Sequence, residues 1–291
     1  MLTLKEVSLR KGKRTYLDEV SFTAEAGRIT AIVGTRSAGR TELVRIIMGL
    51  IAADEGTIEL EDFELDFGDR QNFGYLPAER GGYPNMRVLD QIVYLARLHG
   101  ITLGAAERNA LTLLGHLELA DRGYAPLKNL SGAEIARVDI AATLAADPDV
   151  VVIDDAFAGL DAASLRLVTS LLRAHASSGV PVILATDDWE AAQTFADDVV
   201  ILGQGKVTAK GSVEKLLGDP HFRVETTDTD AAASALKSRT GISDVKTAGR
   251  ERVSFRANDA RSAAAAVAEL KNVKNFESVR PTLAEQYKEA L

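Results

Sequence analysis

The stretch from Ile29 to Thr41 limits the possible folds more than any other part of the chain. An unbroken apolar run, Ile29–Val33, passes directly into a turn carrying Gly34 and Gly39, and then into a helical pattern from about Arg40 to Met48. A strand that is apolar on every residue is buried on both faces, which is the habit of parallel sheets covered by helices. Two short runs of the same kind follow at Val150–Ile153 and Val182–Ala185. Helical patterns lie between and after them, at Gly132–Ala146, Ala162–Ala176 and Trp189–Ala196. Strands alternating with helices predict a parallel α/β core. Ahead of it, Leu2–Leu9 and Tyr16–Ala24 show strand-like alternation.

Composition narrows the partners. The 291 residues are 46% hydrophobic, enough for a sizeable core, and the formal net charge of −8 argues against a nucleic-acid backbone as the main partner. The absence of cysteine excludes disulfides and thiolate metal sites. No window reaches the roughly 18 apolar residues that span a bilayer. Met1-Leu2-Thr3-Leu4-Lys5 also lacks the apolar core of a signal peptide. The expectation is a cytosolic chain that reaches a membrane only through a partner.

The turn after Ile29–Val33 reads Gly34-Thr35-Arg36-Ser37-Ala38-Gly39-Arg40-Thr41. It matches the phosphate-binding pattern G-x-x-x-x-G-K-[ST] except at the lysine, which is Arg40. Backbone N–H groups of such a loop cradle phosphates, and the helix that follows favours negative charge at its start. Thr41 stands where the loop hydroxyl would ligate Mg²⁺. Arg40 keeps the charge but exchanges a compact ammonium for a planar fork that needs more room. Glu42 puts a carboxylate in the helix's first turn, where it competes with phosphate for the dipole.

Later motifs fall in a consistent order. Asn72-Phe73-Gly74-Tyr75-Leu76-Pro77 precedes Leu130-Ser131-Gly132-Ala133-Glu134, which is followed by the strand Val150–Ile153 with Asp154. Ala158-Gly159-Leu160-Asp161 and Thr186-Asp187-Asp188-Trp189-Glu190 come next. Together with the loop they resemble the Q-loop approach, LSGGQ signature, D-loop and Thr-His-Asp segment of ABC transporter nucleotide-binding domains. The resemblance covers roughly the first three-quarters of the chain. It implies a P-loop NTPase fold of ABC type over residues 1–218, an α/β fold with a mixed sheet core and a helical subdomain at about 84–146. It also implies ATP and Mg²⁺ as ligands, with residues 34–42 and Lys11 on the nucleotide and Thr41 and Asp154 on the metal. The implied partners are a transmembrane permease subunit and a second ABC ATPase subunit, in a homo- or heterodimer at the cytoplasmic face of the membrane. In such a head-to-tail dimer each ATP lies between one subunit's loop and the other's signature.

The departures from the family pattern are concentrated on the chain's own ATP. Asp155 replaces the glutamate that polarises water and is one methylene short of the roughly 2.6–3.2 Å reach a base needs. Asp187 replaces a histidine that would donate to the γ-phosphate. At about 5 Å and an effective dielectric near 20, two unit charges repel by roughly 3 kcal/mol. Losing one such donor costs on the order of 10²–10³ in rate. Ala78 stands where the Q-loop glutamine would be, with Glu79 a substitute only if the register slips by one. Lys11 aligns with the aromatic that stacks on adenine, and Tyr16 is the nearest aromatic. The signature is lightly changed: Ser131 and Gly132 are intact, Ala133 adds a methyl and Glu134 exchanges an amide for a carboxylate. The chain is therefore expected to be worse equipped to hydrolyse its own ATP than to complete a partner's site. A slow but authentic ATPase and a non-enzymatic interaction module are the alternatives.

Past Gly218-Asp219-Pro220 the pattern reads strand (222–227), helix (229–239), strand (242–247), strand (252–256), helix (260–270), strand (276–279). That β-α-β-β-α-β order predicts a ferredoxin-like α+β appendix over residues 219–291, closed by a last helix from Thr282 to Leu291. The tail Phe276–Leu283, and Tyr75–Gly81 more softly, resemble a bacterial export subgroup of the family.

Overall fold

A computed structural model describes residues 1–66, 68–79, 81–155, 157–218, 221–249 and 251–287. It divides into two compact units, one running to Val213 and a second beginning at Glu214.

The first unit contains, in order, β1 (Leu2–Lys11), β2 (Arg14–Ala24), β3 (Ile29–Gly34), α1 (Arg40–Ile47), β4 (Glu55–Leu60), β5 (Phe63–Glu64) and β6 (Phe73–Leu76). Three helices follow, α2 (Val88–Leu98), α3 (Leu103–His116) and α4 (Gly132–Leu144). It continues with β7 (Val150–Asp154), α5 (Ala162–Ala176), β8 (Val182–Thr186), α6 (Trp189–Phe195), β9 (Asp198–Gly203) and β10 (Lys206–Ser212). The central sheet has the order β10-β9-β3-β8-β7-β6, in which only the β9–β10 pair is antiparallel. The fold is thus α/β with a mixed sheet. Every residue of β3, β7 and β8 is buried, as their unbroken apolar runs require. Gln204 and Gly205 both have positive φ, 49° and 82°, and supply the tight turn that sends β10 back along β9.

A second, antiparallel sheet has the order β2-β1-β4-β5. Its inward residues Leu4, Leu17 and Phe22 share one core with Leu43 and Ile47 of α1 and with Val152 and Ile183 of the central sheet. Burying each such side chain contributes about 1.5–3 kcal/mol. That core fixes α1, and with it the loop that precedes α1. Helices α2, α3 and α4 pack on one another and make up the helical part of the unit.

The second unit takes in most of α7 (Val213–Leu217), then β11 (His221–Thr226), α8 (Thr229–Lys237), β12 (Ile242–Ala248), β13 (Arg252–Ala257), α9 (Ala260–Ala268), β14 (Val273–Val279) and α10 (Leu283–Tyr287). Its sheet is antiparallel throughout, in the order β12-β13-β11-β14. Phe222 anchors its core, with ring centroids 5.8 Å from Phe255 and 5.9 Å from Phe276. The division falls between Val213 and Glu214, so α7, with Leu216 and Leu217 buried, goes with the appendix. Of the expected boundary and last helix, Asp219, Pro220 and residues 288–291 lie outside the described residues.

Candidate functional site

The loop between β3 and α1 is held from both ends. A Cβ on Gly34 would collide with the Leu202 carbonyl oxygen of β9, and one on Gly39 would lie 2.5 Å from the Tyr16 carbonyl oxygen. Gly39 also has φ 97°, a conformation that side chains other than glycine's resist. Between them the Ala38 N–H donates to Thr35 O at 3.0 Å, and Ala38 O accepts from the Gly205 N–H at 3.1 Å. Thr35, Arg36 and Ser37 are exposed, while Ala38 and Gly39 are buried. Helix α1 begins at Arg40 with no side-chain cap. Its first N–H groups therefore remain available as donors to an anion, with the Glu42 carboxylate alongside in the first turn.

Three adjacent strands, β3, β8 and β7, deliver the other charged positions at their carboxyl ends, the usual ligand crevice of an open α/β sheet. Asp154 ends β7 and is buried. Burial pushes its carboxyl upward, while a hydrogen bond from the Thr41 hydroxyl and the Arg40 charge act in the opposite direction. Its Oδ2 is buried without a hydrogen-bond partner among the described residues. A buried carboxylate oxygen left this way favours a cation beside it. The residues thus fit a divalent ion held by Asp154 and Thr41. No group of three or more acidic or histidine side chains suited to a metal occurs among the described residues. Such an ion would take its other ligands from phosphate and water. Asp155 follows with φ 55°, an unusual conformation for a non-glycine residue.

Asp187 follows the end of β8 and has a cation beside it. Its carboxylate lies 3.8 Å from the Arg40 guanidinium, with side-chain exposures of 50% for Asp187 and 12% for Arg40. At that separation the contact is an ion pair rather than a hydrogen bond. The Arg40 Nε is buried without a hydrogen-bond partner among the described residues. The two substitutions that looked like separate defects therefore face each other.

Ser131 is the N-cap of α4 and forms a full capping box with Glu134. The Ser131 N–H donates to Glu134 Oε2 at 2.8 Å, and the Glu134 N–H donates to Ser131 Oγ at 3.3 Å. Arg122 Nε donates to Glu134 Oε1 at 2.9 Å. Hydrogen bonds from the Ser131 N–H and the Ser131 hydroxyl, with help from Arg122, hold the Glu134 carboxyl below the ordinary carboxylate range. Ser131 and Gly132 are exposed, and Ala133 is half-buried. No hydrogen bond or ion pair among the described residues joins 131–134 to the loop at 34–42.

A family model described as ABC transporter matches residues 17–158. The uncharacterized ABC transporter ATP-binding protein YhaQ of Bacillus subtilis is 27% identical over 242 residues, covering 83% of this chain and 81% of that protein. The chain carries an ABC transporter ATP-binding domain. The linearmycin resistance ATP-binding protein LnrL of B. subtilis is 24% identical over 253 residues, covering 84% of this chain and 81% of its own. The dimeric structure of a bacterial ABC transporter cassette superposes with a TM-score of 0.65 at 22% identity, over 74% of this chain and 99% of that one. The chain is an ATP-binding subunit of the ABC transporter kind.

The remaining positions have less definition. Lys11 is exposed at the end of β1, with Nζ 5.4 Å from the Tyr16 ring centroid, and Arg14 lies 4.5 Å from the same centroid. The Tyr16 ring thus already has two cations against it. Ala78 and Glu79 are exposed, and Arg80 lies outside the described residues. Asp161 caps α5, accepting from the Ser164 N–H at 2.8 Å. Sequence reasoning missed the Arg40–Asp187 pair, for which there is no local signal. It also missed the capping box, for which Ser131-x-x-Glu134 before an apolar run is the signal.

Proposed function

We propose that the chain is the ATP-binding subunit of an ABC exporter, impaired at its own hydrolytic site and lending its signature helix to the ATP site of a partner subunit. The carrying observation is the contrast between two phosphate positions. In the chain's own pocket the largely buried Arg40 is paired with Asp187, an acceptor-only group where catalysis requires a donor. At the start of α4, by contrast, Ser131 and Gly132 are exposed, and no carboxylate other than that of Glu134, which is itself held by Ser131 and Arg122, is bonded to them among the described residues.

In the chain's own site, residues 34–39 and the first turn of α1 hold phosphate oxygens through backbone N–H groups. Thr41 and Asp154 would hold Mg²⁺, which would supply neutralisation of phosphate charge. Asp155 does not reach the attacking water, and Asp187 cannot donate to the terminal phosphate. Hydrolysis fails at these two steps while binding persists. Export is supported by the resemblance of Phe276–Leu283 to an export subgroup and by the name of the linearmycin resistance relative. No helix among the described residues is long and apolar enough to cross a membrane. Docking on a transmembrane permease at the cytoplasmic face would therefore supply the membrane link. The solved dimeric cassette supports pairing with a second ABC ATPase subunit.

One observation favours a second reading. The Thr41–Asp154 contact on the metal side is intact, which would suit a slow authentic ATPase. The purified chain separates the two. The proposal expects ATP turnover no faster than in Arg40→Ala. A metal-dependent rate near a typical enzyme's roughly 1–10³ s⁻¹ that vanishes in Arg40→Ala would establish the slow ATPase instead.

A further inference from the structure

We infer that Asp187 makes the chain's own pocket selective for a nucleoside diphosphate over a triphosphate. The inference rests on the reading above that this pocket binds nucleotide, and it names which nucleotide is kept.

Two parts of the pocket see different phosphates. The backbone N–H groups of the loop cradle the inner phosphates, whereas the cation at the Arg40 position reaches the outer ones. The inner cradle is intact. The loop is pinned at Gly34, Ala38 and Gly39, its residues Thr35, Arg36 and Ser37 are exposed, and α1 starts uncapped. The outer part is already occupied. Arg40 is the cation there, it is largely buried, and Asp187 lies 3.8 Å from its guanidinium. A terminal phosphate reaching Arg40 must therefore come alongside the Asp187 carboxylate or displace it.

Charge decides the sign. Asp154 and Asp187 place two carboxylates around one guanidinium, and Glu42 adds a third in the first turn of α1. Mg²⁺ at Asp154 and Thr41 would offset the first, and the helix dipole partly offsets the third. No cation other than Arg40 faces Asp187 in an ion pair among the described residues. A diphosphate leaves the Arg40–Asp187 pair undisturbed. A triphosphate brings one more negative charge to the one place already neutralised. Because Asp187 is half exposed, solvent screens that repulsion, and the expected discrimination is about tenfold rather than the several hundredfold of a buried pair.

The test is titration calorimetry on the full chain with MgADP and with MgATP. Wild type is expected to bind MgADP about tenfold tighter than MgATP. Asp187→Asn is expected to tighten MgATP about tenfold and MgADP less than about threefold, erasing the preference. Asp187→Glu, which keeps the charge, is expected to retain it, and separates the effect from any general disturbance of the loop. Two results overturn the inference while leaving the proposed function standing: wild type binding MgATP as tightly as MgADP, or Asp187→Asn tightening both equally. Absence of binding of either nucleotide to all three proteins overturns both.

Discussion

Replacing Glu134 by glutamine tests whether the start of α4 receives a partner's phosphate. The carboxylate accepts from the Ser131 N–H at 2.8 Å and from Arg122 at 2.9 Å, so it sits at the positive end of the helix that a phosphate would approach. A carboxylate and a phosphate oxygen about 5 Å apart repel by roughly 1–3 kcal/mol, depending on how much water lies between them. Arg122 cancels part of this, leaving about 1 kcal/mol, or about a fivefold change in apparent affinity. Glutamine still accepts from the Ser131 N–H, so the capping box survives and the loss of charge at the helix start costs less than about 1 kcal/mol of stability. The assay is the ATP dependence of hydrolysis by the assembled complex of chain, permease and catalytic partner, isolated by co-purification. Glu134→Gln should lower KM about fivefold, and Arg122→Gln, which leaves the carboxylate unopposed, should raise it by a similar factor. Unchanged KM in both variants, with melting temperature shifting as a helix cap predicts, would refute the reasoning. Glu134 would then be a cap and nothing more.

Two further predictions follow from the same geometry. The triple change Arg40→Lys, Asp155→Glu and Asp187→His should restore measurable turnover to the chain's own site, whereas each single change should do little, since residues acting as one unit are not additive. A triple variant that binds ATP and stays inert would point to Ala78. The pH dependence of stability gives the other prediction. Hydrogen bonds from backbone N–H groups hold the carboxyls of Glu134, Asp161 and Asp259 below their ordinary values. A depressed folded value means fewer protons bound folded than unfolded. Their contribution is therefore complete above the ordinary carboxylate range and lost as pH falls through the depressed values. The stability gap between wild type and Glu134→Gln, measured by urea unfolding, should shrink from pH 7 to pH 3. A gap that widens on acidification would contradict the assignment.

Much of this was legible because burial leaves a direct mark on sequence. Strands β3, β7 and β8 are buried at every residue and read as unbroken apolar runs. The appendix's β-α-β-β-α-β order was readable for a similar reason, since alternate residues such as Phe222 and Val224 face its core. The loop's two essential glycines stand out because Gly34 and Gly39 lie against backbone carbonyls. What the sequence hid is contact across the sheet. Arg40 and Asp187 meet only because β3 and β8 are neighbours, and strand order leaves no local trace in the residues that follow each strand. The cations around Tyr16 were hidden likewise, since alignment placed Lys11 at the adenine position without showing that Arg14 comes closer to the ring. The sequence reading of Asp187 as a charge that repels the γ-phosphate left out its partner, the Arg40 guanidinium 3.8 Å away.

The most direct test of the asymmetry is a comparison of Ser131→Arg with Asp155→Asn in the assembled complex. Ser131→Arg projects a bulky cation from the exposed start of α4 into the place of the partner's terminal phosphate, and it should abolish ATP hydrolysis and transport. Asp155→Asn should leave both nearly unchanged if, as proposed, this chain's own site contributes no chemistry. The reverse outcome, with Asp155→Asn inactivating and Ser131→Arg harmless, would mean that the working site is the chain's own.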